Sequence, residues 1–131
     1  MKWVSKGNKK KYSFNRFFKS FYYAFNGIKT ACKTEQNFVI DLVIGVIAII
    51  LGIVLGISTI ELILVILVVC LVLFAELINT AIEYTIDMAM PEVHPLAKAA
   101  KDISAGAVFI VTIAAIVIGI IIYLPRIIWL F

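Results

Sequence analysis

Residues 103–125 carry no charged side chain, residues 62–75 carry none, and residues 39–57 carry one, Asp41. A helix needs ~20 apolar residues to cross ~30 Å of hydrocarbon. Water is absent there, so every backbone N–H and C=O must find its partner inside the protein, which a helix provides within itself. The apolar pattern of the second run continues to about residue 89. The expectation is therefore an all-α membrane protein with membrane helices at about 39–57, 62–89 and 103–124 in one 131-residue domain. Composition points the same way: 63% of the residues are hydrophobic and the mean hydropathy is +1.09, whereas soluble domains are nearer half apolar. The first apolar run starts almost forty residues in, which argues against a cleaved signal peptide.

Charge sets the expected orientation. Nine of the twelve Lys and Arg residues precede the first membrane helix: Lys2, Lys6, Lys9, Lys10, Lys11, Arg16, Lys19, Lys29 and Lys33. The expected first loop, Ser58-Thr59-Ile60-Glu61, has none. The second has Lys98 and Lys101, and Arg126 follows the third helix. The positive-inside rule puts the N-terminus and second loop in the cytoplasm and the C-terminus outside the cell membrane. Topology and anionic lipid explain the net charge of +4 better than nucleic acid does. Trp3 and Trp129 suit interfacial positions. The Lys-rich start, about residues 1–12, reads as a mobile tail.

Between tail and membrane, Phe14, Phe17, Phe18, Phe21, Tyr22, Phe25 and Ile28 recur at helical spacing, with Asn15, Arg16, Lys19, Asn26, Lys29 and Lys33 opposite. This is an amphipathic surface helix over 14–33, aromatic face toward lipid. Ala48, Gly52 and Gly56 form a small-residue stripe on the first membrane helix, as do Ala115 and Gly119 on the third; such stripes permit close helix packing. Met90-Pro91-Glu92-Val93-His94-Pro95 breaks the helical pattern, and a helix restarts over 96–102. Cys32 and Cys70 lack metal or redox spacing and read as buried, reduced structural cysteines.

The second membrane helix carries chemistry. Glu76, Asn79, Thr80, Glu83 and Asp87 fall at i, i+3, i+4, i+7 and i+11, one face spanning roughly 100°. Glu76 and Asp87 are about 16 Å apart along a helix, so the stripe reaches two depths. A carboxylate inside the bilayer is costly and is a functional-site candidate by default. The deeper one is placed to accept or give a proton; shallower ones can meet a cation. Hard oxygen ligands without His or Cys favour Mg²⁺ over zinc. Glu35 stands at the entrance of the first membrane helix, and Lys101 and Asp102 at that of the third. A lysine, carboxylates and a metal at a lipid surface suit phosphoryl transfer, which works by positioning and charge neutralisation, although no Walker A or Gly-rich kinase loop is present. Asp41 could snorkel or pair with a basic neighbour. A proton-coupled transporter built on Glu76, and a non-catalytic membrane subunit, are the competing classes.

The motif Glu76-Leu77-Ile78-Asn79-Thr80-Ala81-Ile82-Glu83 with Asp87, the run Ala100-Lys101-Asp102 leading into Ala105-Gly106-Ala107-Val108, and Glu35 followed by Asn37-Phe38 resemble the prokaryotic integral-membrane diacylglycerol kinase family, from about residue 14 to residue 126. The resemblance implies a homotrimer of three-helix subunits that transfers the γ-phosphate of ATP to a lipid hydroxyl with Mg²⁺. It implies that Glu76 is the general base and meets the lipid substrate, as Ala105 does. Asn79 would orient the base or the phosphate, and Glu35 and Glu83 would be the metal ligands on the nucleotide. Lys101 and Asp102 match nucleotide-binding positions, Arg16 and Tyr23 match positions contacting nucleotide or headgroup, and His94 borders the nucleotide. Arg16-Phe17-Phe18-Lys19-Ser20-Phe21, Ala24-Phe25-Asn26-Gly27-Ile28-Lys29, His94-Pro95-Leu96-Ala97-Lys98 and Tyr123-Leu124-Pro125-Arg126 are similar to the Gram-positive branch, whose members resemble undecaprenol kinases of cell-wall lipid-carrier recycling. Diacylglycerol is the alternative substrate. Val39 departs from the family pattern, which often has a basic residue after the Phe.

Overall fold

A computed structural model describes residues 13–131 as four helices: α1 (Phe14–Thr34), α2 (Gln36–Val54), α3 (Thr59–Ala89) and α4 (Pro95–Leu130). The expectations for the Lys-rich tail and for Trp3 lie outside the described residues. Helices α2, α3 and α4 are each long and apolar enough to cross a membrane.

A single residue separates α1 from α2. Glu35 takes an extended conformation (φ −112°, ψ 104°), its N–H donates to Ala31 O at 2.8 Å, and its C=O accepts from Val39 N at 3.3 Å. It closes one helix and opens the next, so the elbow between surface and membrane helix is itself a carboxylate. Most of the aromatic face of α1 is bare: Phe14, Phe17, Phe18, Phe21, Tyr22 and Phe25 are all exposed. Ala31 seats the end of α1 on the bundle.

The far end of the bundle is a tight turn. Gly56 adopts φ +66°, the left-handed conformation that costs glycine nothing, and Ile57 N donates back to Gly52 O at 3.1 Å. Ser58 then caps α3. Its hydroxyl accepts from Glu61 N at 3.2 Å, and its own N–H donates to Glu61 Oε2 at 2.8 Å. This reciprocal capping box starts α3 at Thr59. Thr59, Ile60 and Glu61 are thus helix, not loop, and α2 ends three residues sooner than expected.

Two helices outlast the membrane. At 1.5 Å per residue, the 31 residues of α3 span about 46 Å and the 36 of α4 about 54 Å. The segment 96–102 and the third span are one helix, which runs on through Pro125. Proline lies within the last six residues of α4, and beside it Arg126 Nη1 donates to Ile122 O at 2.9 Å.

Helix α3 lies between α2 and α4 and packs on both. Gly45 lets α2 close on α3, since a Cβ there would collide with Val69. A Cβ at Gly52 would come within 2.6 Å of Ile57 and 2.9 Å of the Tyr123 hydroxyl. That hydroxyl donates to Ala48 O at 2.5 Å and ties α4 to α2. The small residues Ala115 and Gly119 do something else. They line a cleft of about 330 Å³ opening between α2 and α4 over the Val65, Val69 and Val72 face of α3, and a Cβ on Gly119 would meet nothing within 4 Å. Among the described residues only Ala31, Phe38, Val65, Val72 and Ile122 are buried apolar ones. The remaining apolar surface requires lipid or further protein. Cys32 and Cys70 are free but exposed, on the outward sides of α1 and α3, and are not core residues as expected.

Candidate active site

The polar end of the bundle begins at Glu76. The residue retains 7% of its surface, on a buried stripe of α3 with Val65, Val72 and Thr80. Asp41 had been expected to snorkel or to pair with a basic neighbour. It instead lines the cleft between α2 and α4, and no ion pair holds it among the described residues. The reason is helical register: its position on α2 shares the inward side with Gly45 and Ala48.

One turn beyond Glu76, neutral donors hold the other carboxylates. Asn79 Nδ2 donates to Glu83 Oε1 at 3.1 Å, and the Ser104 hydroxyl, buried on α4, donates to Asn79 Oδ1 at 2.7 Å. At the elbow the Tyr84 hydroxyl lies 3.1 Å from Glu35 Oε1 and 2.9 Å from Thr34 Oγ1, and the Thr34 hydroxyl is 3.2 Å from the same carboxylate oxygen. Tyr84 follows Glu83 directly on α3, so Glu35 and Glu83 reach the same layer from two elements. Ala105, adjacent to Ser104, is exposed.

Above this layer the 90–94 turn frames a small cleft of about 300 Å³, lined by Asp87, Glu92, His94, Lys98 and Lys101 among others. Lys101 is ion-paired with Asp87, joining α4 to the end of α3. Asp102 points elsewhere: it is exposed and pairs with Lys98 one turn back at 2.5 Å. His94 caps α4, its Nδ1 accepting from Leu96 N at 3.1 Å. Arg16 and Tyr23 are exposed on α1, with Tyr23 edge-on to Tyr22. They lie roughly 28 and 18 Å of helix axis before Glu35, so the single chain does not gather them with the carboxylates.

The donor chemistry fits a cation brought in with phosphates. Among the described residues no group of three or more His, Cys, Asp or Glu side chains could hold a metal unaided. Mg²⁺ commonly uses only one or two carboxylates together with substrate phosphates and water. Glu35 and Glu83 would supply the two.

Sequence reasoning missed Ser104 and Tyr84. Ser104 hides in a small-residue run, and Tyr84 stands one position off the acidic stripe. Their partners are 25 and 49 positions away, a relation that no local spacing reveals.

A buried carboxylate one helical turn beyond an apolar cleft, near two held carboxylates and a lysine-bearing turn, suits a membrane enzyme acting on lipid. The model of the prokaryotic diacylglycerol kinase family matches residues 22–123, and the chain belongs to that family. It is a membrane lipid kinase, a phosphotransferase with an alcohol acceptor and ATP as co-substrate. Among its relatives, an undecaprenol kinase of Bacillus subtilis is 42% identical over 112 residues, covering 86% of this chain and 91% of that protein. A diacylglycerol kinase of Synechocystis is 39% identical over 107 residues, covering 81% of this chain and 61% of its own. A diacylglycerol kinase of Pseudomonas aeruginosa is 45% identical over 53 residues, covering 36% of this chain and 43% of its own. Family membership sets aside the transporter and non-catalytic readings.

Proposed function

We propose that this kinase phosphorylates the hydroxyl of undecaprenol to undecaprenyl phosphate, using ATP and Mg²⁺. The observation that carries the reading is the burial of Glu76 one helical turn from Val72, where the apolar cleft between α2 and α4 begins. A long apolar chain lying in that cleft brings its terminal hydroxyl to the carboxylate. The substrate choice is supported by the likeness to the B. subtilis undecaprenol kinase, which extends over nearly the full length of both proteins.

The reaction follows from the layer. Glu76 removes the proton of the lipid hydroxyl as its oxygen attacks the γ-phosphorus of ATP, and the bond to ADP breaks. Asn79 orients the reacting groups. Glu35 and Glu83 would hold Mg²⁺, which when bound would supply charge neutralisation on the phosphates. Lys101, Asp102 and His94 border the nucleotide, and Lys101 exchanges Asp87 for a phosphate oxygen. Arg16 and Tyr23 complete the nucleotide contacts in a homotrimer, where a neighbouring α1 supplies what the single chain leaves distant. The basic N-terminal half places this end in the cytoplasm and the C-terminus outside.

The test is transfer of labelled γ-phosphate from ATP with Mg²⁺ to undecaprenol and to diacylglycerol, side by side in mixed micelles. A strong preference for undecaprenol is expected. A preference for diacylglycerol, the second reading favoured by the Synechocystis relative, would replace it.

A further inference from the structure

Glu83 and Glu35 are held in the same manner by unrelated parts of the chain. Each has its Oε1 engaged by a neutral donor, Asn79 for Glu83 and Tyr84 with Thr34 for Glu35. No hydrogen bond to either Oε2 occurs among the described residues. A neutral donor fixes a carboxylate's rotamer without cancelling its charge. A lysine or arginine in the same place would spend that charge and compete with a cation.

The two arrangements have different foundations. Glu83 can only accept, so the Asn79 amide must turn its NH₂ toward it, and the amide oxygen faces the other way. That oxygen is the one met by Ser104. Ser104 is buried on α4, so the contact ties the amide to a second helix and restricts its rotation. The chain of contacts is Ser104 to Asn79 to Glu83. At the elbow, Tyr84 reaches from α3 across to the residue between α1 and α2. The Tyr84 hydroxyl lies 3.1 Å from one oxygen of Glu35 and 2.9 Å from the Thr34 hydroxyl, whose own proton has Thr30 O at 3.0 Å and that same Glu35 oxygen at 3.2 Å as acceptors.

We propose that Ser104, acting through Asn79, and Tyr84 are positioning residues that preset Glu83 and Glu35 for a divalent cation, one oxygen of each held and the other presented. The inference rests on the reading of these two glutamates as metal ligands. Groups that orient metal ligands from behind typically govern metal affinity by 10- to 100-fold.

The probe is Mn²⁺ in place of Mg²⁺. Its binding to the full-length protein in detergent micelles is followed by loss of the free-ion electron paramagnetic resonance signal, with a non-hydrolysable ATP analogue present. Ser104→Ala and Tyr84→Phe should each weaken Mn²⁺ binding by about tenfold or more, and Ser104→Thr should restore it. Tyr84→Phe keeps its ring on an exposed part of α3, so it probes the elbow even where Ser104→Ala lowers the unfolding midpoint. A purely structural role would move that midpoint and leave the Mn²⁺ affinity of the folded protein alone. Glu83→Gln and Glu35→Gln separate the two levels of the argument. Weak Mn²⁺ binding in both glutamine variants, with Ser104→Ala and Tyr84→Phe within twofold of the parent, overturns the positioning role alone. Unchanged binding in the glutamine variants removes the metal reading, and this inference with it.

Discussion

Glu76 is a carboxylate buried on α3 where the apolar part of the bundle gives way to its polar end. Replacement by glutamine preserves shape and removes a buried charge, so the fold should survive. The proposed general base is lost, and such groups contribute about 10²–10⁴-fold to rate. Glu76→Gln should therefore lower kcat for lipid phosphorylation by that factor in a mixed-micelle assay, with the unfolding midpoint kept. A kcat within threefold of the parent would take Glu76 out of the base role. The position of Glu76 was legible in the sequence, because a charge inside an apolar run stands out and helical spacing lines up its companions. The side toward which Asp41 turns was not legible, since one acid near the end of an apolar run can reach outward or inward. Ser104 and Tyr84 were invisible for a further reason: their meaning lies in contacts between helices.

At the scale of elements, the far end of the bundle is held by an ion pair between helices. Arg126 donates to Glu61 through Nη1 at 3.1 Å and Nη2 at 2.7 Å, a two-pronged contact joining the start of α3 to the end of α4. Both side chains keep about a third of their surface, so the pair is neither fully screened nor fully desolvated. Arg126→Ala should lower the unfolding midpoint in micelles modestly, as expected of a partly exposed ion pair. Lipid phosphorylation should stay unchanged, because the pair sits at the opposite end from Glu76. The helices themselves were mostly legible, since apolar length and the prolines at 91 and 95 mark them. Their ends were less so. Ser58 and Glu61 read as loop because they are polar, although the same two residues at that spacing are a helix start. Pro125 reads as a stop, but near a helix end it removes only one donor, and α4 runs on to Leu130.

On the scale of the whole molecule, the proposed function assigns the lipid chain to the cleft between α2 and α4 and the chemistry on its hydroxyl to the polar layer beyond it. Gly119 borders that cleft with open space before it. Gly119→Leu should fill part of it with little effect on stability. It should reduce kcat/KM for undecaprenol by roughly tenfold, the scale of a poorly fitted apolar group, and reduce it less for a short-chain alcohol in the same assay. Equal loss for long and short substrates would place the lipid chain elsewhere. The small-residue stripes illustrate the division between sequence and structure. From sequence, Ala48, Gly52 and Gly56 on one helix and Ala115 and Gly119 on another are equivalent permissions for helices to approach. In the fold, Gly52 is crowded by Ile57 and Tyr123, Gly56 makes the turn after α2, and Ala48, Ala115 and Gly119 line an opening. The sequence by itself determined a membrane protein of three spans and a surface helix, with a polar stripe on the second span. Hydrocarbon demands length and apolarity, and helical periodicity aligns side chains, and both are written locally. Only the tertiary structure decided which carboxylates share a layer, which neutral groups hold them, and where the bundle stays open, because those outcomes depend on how one helix's face meets another's.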